Sequence, residues 1–158
     1  MSHASNQAKQ IVLCELCKGS TQDYHEHVTI SCLKRGMYDT AFKAYLKARE
    51  RKVQEKDFYS AARLGIHVGT TLLSACEWIL AKRALEITLL DAKDACDHET
   101  ISQVCKSLGV FHLSTGDTET ARRYFARGVR AAREGQIKGE EDTLQVFLDI
   151  LRRMGVCS

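Results

Sequence analysis

Proline is absent from this 158-residue chain, and no long apolar run occurs in it. Proline averages about 5% in proteins and breaks helix interiors, so its absence, with abundant helix-forming residues, predicts an all-α fold. A membrane span needs roughly 18 apolar residues, and the polar start MSHASNQAKQ does not fit a secretory signal. We therefore expect a cytoplasmic protein with a single domain over residues 1–158, long enough for one core.

A large excess of charge of either sign is also missing. The 23 Lys and Arg residues outnumber the 20 Asp and Glu residues by only three. Nucleic-acid-binding domains normally carry a concentrated basic surface and a recognisable motif, so nucleic acid is not an expected partner.

Alanines recur along the chain with a forty-residue period, at Ala41, Ala81 and Ala121. Four residues after each alanine stands a large apolar residue, and seven residues after it a small one: Tyr45, Leu85 and Phe125, then Ala48, Thr88 and Gly128. A turn position precedes each alanine by five residues, at Gly36, Cys76 and Gly116. Offsets of four and seven place these residues on one helix face, so the pattern predicts helical hairpins.

The helix before each turn keeps the same forty-residue phase. Its apolar positions are Leu64, Val104 and Leu144, then Val68, Leu108 and Leu148, with Leu33, Leu73 and Leu113 near the end. A glycine inside a helix costs roughly 1 kcal/mol relative to alanine, so Gly69, Gly109 and Gly128 are predicted to mark close helix contacts. Asp57 and Asp97 mark the turns that link the hairpins.

These signals divide the chain into a half repeat, three hairpins and a final helix. The expected ranges are 5–17 for the half repeat, 21–55, 58–95 and 99–134 for the hairpins, and 140–154 for the final helix.

The segment SLGVFHLSTGDTETARRYFARGVRAARE, residues 107–134, resembles a tetratricopeptide repeat. That family has Leu-Gly in the first helix, a Gly-Asp-like turn, then Ala, an aromatic residue and Ala in the second. The usual repeat has about 34 residues. The longer period is similar to that of polarity and spindle-orientation scaffolds and of bacterial quorum-response regulators. The resemblance implies a right-handed superhelical stack of antiparallel hairpins, an α-solenoid with a capping helix, in which the first helices line a concave groove.

The resemblance also implies a non-enzymatic adaptor that holds an extended or helical segment of another protein. Carrying the groove positions of the family onto this sequence selects His27, Arg63, His67, Thr70, Gln103, Lys106, Ser107 and Val110. Arg63 and Lys106 favour a segment with carboxylates, and His27 and His67 would gain charge as the pH falls toward about 6. Family members that clamp a C-terminal carboxylate use asparagines where this chain has His27 and Ser107, so that ligand is not expected.

A zinc site is the sharpest alternative, because zinc prefers thiolate and imidazole ligands. The candidate ligands are Cys14, Cys17, His25, His27 and Cys32. Cys14 and Cys17 also fit helical spacing, Cys32 occupies a core phase of the repeat, and no second CxxC follows. The seven cysteines are odd in number and irregularly spaced, which favours reduced thiols. We expect no metal, no cofactor and, without a local catalytic motif, no enzyme.

Other surfaces and other roles stay open at this stage. Five arginines between residues 122 and 133 give the third hairpin a basic helix, interpreted as a solvated face and as the competing binding surface. Trp78 and Tyr38 share a repeat phase, which favours packing between helices. A dedicated secretion or assembly chaperone, a regulatory subunit of a larger complex and a self-associating protein are the alternative functions.

Overall fold

The structure, a computed structural model, describes residues 24–156. These residues form seven helices and no strand: α1 Tyr24–Lys34, α2 Tyr38–Gln54, α3 Phe58–Ser74, α4 Trp78–Asp94, α5 His98–Ser114, α6 Thr118–Glu134 and α7 Lys138–Arg153. The all-helical prediction is confirmed for this part of the chain. The predicted half repeat at 5–17 lies outside the described residues. None of the described helices is long and apolar enough to cross a lipid bilayer.

The helices follow one another at a constant interval. Each helix from α2 to α6 has 17 residues, and three residues separate it from the next one. The backbone therefore repeats with a twenty-residue unit, half the period of the side-chain pattern. Two successive helices form one hairpin of the sequence repeat.

Every turn between helices has the same backbone geometry. After α1 the N–H of Gly36 donates to Leu33 O at 3.2 Å and the N–H of Met37 donates to Cys32 O at 2.9 Å, which is the Schellman pattern. The residue at the turn is left-handed, with φ of +74° at Gly36, +60° at Cys76 and +84° at Gly116. The predicted turns at these three positions are confirmed.

Aspartates begin three of the helices. The side chains of Asp57, Asp97 and Asp117 each accept a hydrogen bond from a backbone N–H three residues later, on Ser60, Thr100 and Thr120. This bond satisfies one of the N–H groups that have no partner within the helix. The linking turns predicted at Asp57 and Asp97 are therefore confirmed, and the same cap also begins α6.

The repeated small and large residues meet in the core. Ala41, Ala81 and Ala121 are fully buried, as are Tyr45, Leu85 and Phe125. A methyl group added to Gly69 would lie 2.6 Å from Leu85 Cδ2, and one added to Gly128 would lie 2.9 Å from Leu144 Cδ1. At Gly109 the added group would overlap the ring of Phe125. These glycines mark close helix contacts, as the sequence predicts.

Contacts between helices are local along the chain. Each helix packs against the next, and contacts also join α1 to α3, α2 to α4, α3 to α5 and α5 to α7. Leu148, which shares its phase with the buried Val68 and Leu108, is only half-buried, because no described helix follows α7 to cover it.

Candidate protein-binding groove

The eight residues selected for the groove lie on the first helices of the hairpins. His27 is on α1, three of them are on α3 and four are on α5. His27, His67 and Val110 are exposed, and the other five are half-buried. None of the eight belongs to the buried core. Their side chains are therefore accessible to a ligand.

An open cleft of about 360 Å³ lies between α1, the end of α2 and α3. Its lining consists of Glu26, Ile30, Lys52, Tyr59, Ser60, Arg63, Leu64 and His67. Only Arg63 and His67 were predicted. The sequence carried a signal for Ile30, which lies one repeat period before Thr70 and two before Val110. Lys52 had no such signal, because it comes from the second helix of its hairpin.

Both cationic residues of the cleft are held in place by neighbouring side chains. Lys52 Nζ lies 2.8 Å from Glu26 Oε2, joining α2 to α1 across the cleft lining. The guanidinium carbon of Arg63 lies 5.1 Å from the centre of the Tyr59 ring, within the range of a cation–π contact. The cleft thus combines cationic, aromatic and aliphatic groups.

Arg63, expected from the sequence to favour a carboxylate on the ligand, already interacts with two carboxylates of the same chain. Its Nη2 donates to Glu99 Oε2 at 2.8 Å, and its Nε lies 3.4 Å from Asp97 Oδ2. The hydrogen bond to Glu99 raises the pKa of Arg63, and Asp97 adds to the effect. Glu99 Oε1 also accepts from Gln103 Nε2 at 3.5 Å, so two of the selected residues meet at one carboxylate.

Lys106, the other cation expected to favour a ligand carboxylate, is paired in the same way. Its Nζ donates to both carboxylate oxygens of Glu140, at 2.9 and 2.7 Å, and links α5 to α7. The acidic partners stand 36 residues after Arg63 and 34 residues after Lys106. Neither separation equals the forty-residue period, so the repeat alone could not indicate these pairs.

The remaining selected residues differ in what they can offer. The hydroxyl of Thr70 donates to Ile66 O at 2.7 Å, so it already has a partner within its helix. His27 and His67 are exposed and have no carboxylate within salt-bridge distance among residues 24–156. The histidines are therefore the selected residues best placed to meet a ligand's polar groups.

The final helix α7 also carries residues at the repeat positions of the groove, although the sequence predicts it only as a capping helix. Forty residues after Lys106, Val110 and Ser114 stand Val146, Ile150 and Met154. The exposed fractions of these three residues are 57, 46 and 64%. Extending the period by one more unit would have found this apolar surface.

The cysteines of the described part are free thiols. Cys32 and Cys105 are buried, whereas Cys76 and Cys96 are exposed. Burial raises the pKa of Cys105 to about 11, so this thiol stays protonated at neutral pH. No three His, Cys, Asp or Glu residues of the described chain are grouped to hold a metal ion. Cys14 and Cys17 lie outside the described residues.

The arginines of α6 are only partly compensated. Arg122 and Arg123 both bond Glu119, and Arg133 donates to Glu141 Oε1 at 2.9 Å. Arg130 is exposed and has no ion pair within the described residues. A charged partner could therefore contact this helix as well.

Tyr38 and Trp78, which occupy equivalent positions of the repeat, have different environments. Tyr38 packs against the core. Trp78 stays exposed, although its ring centre lies 6.3 Å from that of Phe111. The packing role predicted for both residues holds for Tyr38 and only in part for Trp78.

No family model, curated protein or solved structure matches this chain.

Proposed function

We propose that the chain is a non-enzymatic protein-binding module of the tetratricopeptide-repeat type. In this proposal the hairpins form a right-handed superhelical stack, and α1, α3 and α5 line its concave side. The regular twenty-residue backbone unit and the contacts between each helix and its neighbours support this arrangement. The placement of all eight selected residues outside the core, two of them (Arg63 and His67) in the lining of an open cleft, is the observation that carries the functional part.

The cleft suits a segment with alternating apolar and polar side chains. Ile30 and Leu64 offer aliphatic surface, Tyr59 offers a ring face, and His67 and Ser60 offer polar groups. A small pocket of this kind gives affinity through a few well-packed contacts rather than through total area. The partner is therefore a protein segment with an apolar anchor.

A carboxylate on the segment would have to exchange with one that the protein already supplies. It would meet Arg63 by replacing or joining Glu99, and Lys106 by replacing Glu140. Exchanging one ion pair for another yields little net affinity, so the charge would mainly select among ligands. The proposed preference for acidic segments is consequently weaker than the positive charges alone suggest.

A displayed peptide library selected on the intact protein tests the function. Selected acidic peptides should lose about 30-fold in affinity, near 2 kcal/mol, for the double variant Arg63→Ala/Lys106→Ala, because the truncation leaves Glu99 and Glu140 without their cations beside the peptide carboxylates. Because both cations bridge helices, thermal unfolding must first show that the variant is folded. The charge-matched control Arg130→Glu on α6 should bind as the wild type does.

The variant Glu99→Gln makes the charge exchange directly visible. It removes a competing carboxylate from Arg63, so acidic peptides should bind more tightly while neutral peptides do not change. If Arg130→Glu abolishes binding and the double variant does not, the binding face lies on α6. If acidic peptides bind Glu99→Gln less tightly than they bind the wild type, Arg63 does not contact their carboxylates.

A further inference from the structure

Helix α7 presents an apolar stripe that no other described helix covers. Val146, Ile150 and Met154 follow one another at four-residue intervals and are all exposed. A different face of the helix carries Leu144 and Leu151, which are buried against α6. A stripe of exposed aliphatic residues is typical of an interaction surface.

Two unpaired charges flank the stripe on one side. Asp142 and Arg153 are exposed, and neither has an ion-pair partner within residues 24–156. They are eleven positions apart, roughly three helical turns, so they face the same direction about 16 Å from each other. That distance is too long for the two side chains to pair within one helix.

The other edge of the stripe has the same spacing. It is formed by Thr143 and by Met154 of the stripe itself, which are also eleven positions apart and share a direction. The sequence position midway between Asp142 and Arg153 falls close to Leu148. The midpoints between Thr143 and Met154 and between Val146 and Ile150 fall there as well. A two-fold axis beside Leu148 therefore places Asp142 of one copy next to Arg153 of a second copy.

We propose that α7 pairs with α7 of a second copy of this chain, antiparallel and about such an axis. Val146 then packs against Ile150 of the second copy, and Asp142 meets its Arg153. The interface is isologous, so each charge pair is formed twice. Helix polarity supports the arrangement, because an antiparallel pair also places the acidic first turn of one helix near the basic last turn of the other.

The neighbouring charges leave this pairing undisturbed. Glu140 and Glu141 are engaged by Lys106 and Arg133 of the same chain. Asp149 lies 3.9 Å from Arg152 and accepts a hydrogen bond from Gln145. Lys138, one turn before Asp142, is also exposed and has no ion pair within residues 24–156, so Asp142 and Arg153 are the two opposite charges at matching spacing that remain for a second copy. The cleft of the proposed function is formed by α1, α2 and α3, so the inference does not rest on it.

Sedimentation of the intact chain, with reductant present to exclude disulfide dimers, tests the pairing. The wild type should show a reversible monomer–dimer equilibrium. Ile150→Glu should abolish the dimer, and Asp142→Arg or Arg153→Asp should each raise its dissociation constant about tenfold or more. The control Leu90→Glu changes an exposed leucine on α4 and should leave the equilibrium unchanged.

The charge swap Asp142→Arg/Arg153→Asp decides the geometry. It restores both attractive pairs, so the double variant should dimerise as the wild type does. A dimer whose dissociation constant none of these substitutions changes would contradict antiparallel pairing. A folded double variant that stays monomeric would contradict it as well. A wild type that is monomeric at every concentration overturns the proposal and leaves α7 to another protein or to residues 1–23.

Discussion

Close helix contacts in this protein depend on one very small residue meeting a larger one. At one contact Gly65 lies against Thr88, and one repeat period later Cys105 lies against Gly128. The glycine has moved from the first helix of the hairpin to the second, while the pair as a whole stays small. A search for a fixed glycine position misses this exchange, because the constraint acts on the sum of two side chains.

The constraint at Gly69 predicts a loss of stability in Gly69→Ala. The new methyl group would lie 2.6 Å from Leu85 Cδ2 in a fully buried contact, so the helices must separate or the leucine must move. Such overpacking costs about 1–3 kcal/mol, against a helix-propensity gain of at most about 1 kcal/mol. We expect urea denaturation to show a net loss of about 1–2 kcal/mol.

Gly139→Ala is the matched control, because nothing lies within 4 Å of the added group in the first turn of α7. It should leave stability unchanged or raise it slightly. Equal effects of the two substitutions would show that helix propensity, and not the contact with Leu85, decides the outcome.

At the scale of helices, the apolar repeat was enough to predict the hairpins and their core. The repeat missed the twenty-residue unit, because the two helices of a hairpin carry different residues while their backbones are alike. Lys56, Cys96 and Gln136 adopt left-handed φ of +58°, +52° and +56° in the linking turns. None of them is glycine, so only the aspartate caps Asp57 and Asp97 mark the first two of these turns in the sequence, and the third turn, which ends at Ile137, has no such cap.

Only part of the cleft lining could be predicted from the sequence. Periodicity places His67 and Arg63 on a first helix, but it carries no information about charges that meet between helices. Glu99 meets Arg63 because α3 and α5 pack side by side, an arrangement that depends on the whole stack. For the same reason the contribution of Lys52 and Glu26 to the cleft could not be derived from the first helices alone.

One pair of second helices is joined by a buried ion pair. Arg49 Nε lies 2.6 Å from Asp91 Oδ2 and Arg49 Nη2 lies 2.7 Å from Oδ1, with Asp91 only 1% exposed. The hydrogen bonds to Asp91 raise the pKa of Arg49. One repeat period on, the same positions hold Leu89 and Ala131, so the next hairpin uses apolar residues there.

This comparison predicts how the ion pair can be replaced. Asp91→Ala alone should destabilise the protein by about 3 kcal/mol, because the partly buried Arg49 loses its partner. Arg49→Leu alone leaves a buried carboxylate and should cost a similar amount. The double variant Arg49→Leu/Asp91→Ala copies the later repeat and should recover most of the loss in a double-mutant cycle. Additive losses would show that the ion pair does not act as a unit.

For the molecule as a whole, the core is divided into three groups of residues in series. The first joins α1 to α4, the second joins α3 to α6, and the third joins α6 and α7 with the end of α5. Each helix depends on its near neighbours for burial. Proteins built in this way unfold according to the stability of each unit and of the contacts between adjacent units.

Leu144→Ala tests this division. Leu144 is fully buried between α7 and α6, where a methyl group on Gly128 would reach its side chain, so truncation should cost about 2–5 kcal/mol locally. Because α7 is the last described helix and packs against α6 and α5, we expect faster amide hydrogen exchange in α6 and α7 and unchanged exchange in α2 and α3. Leu72→Ala, in the first group of core residues, is the matched control and should accelerate exchange in α2 to α4 instead. Uniform acceleration along the chain in both variants would mean that the three groups unfold as one cooperative unit.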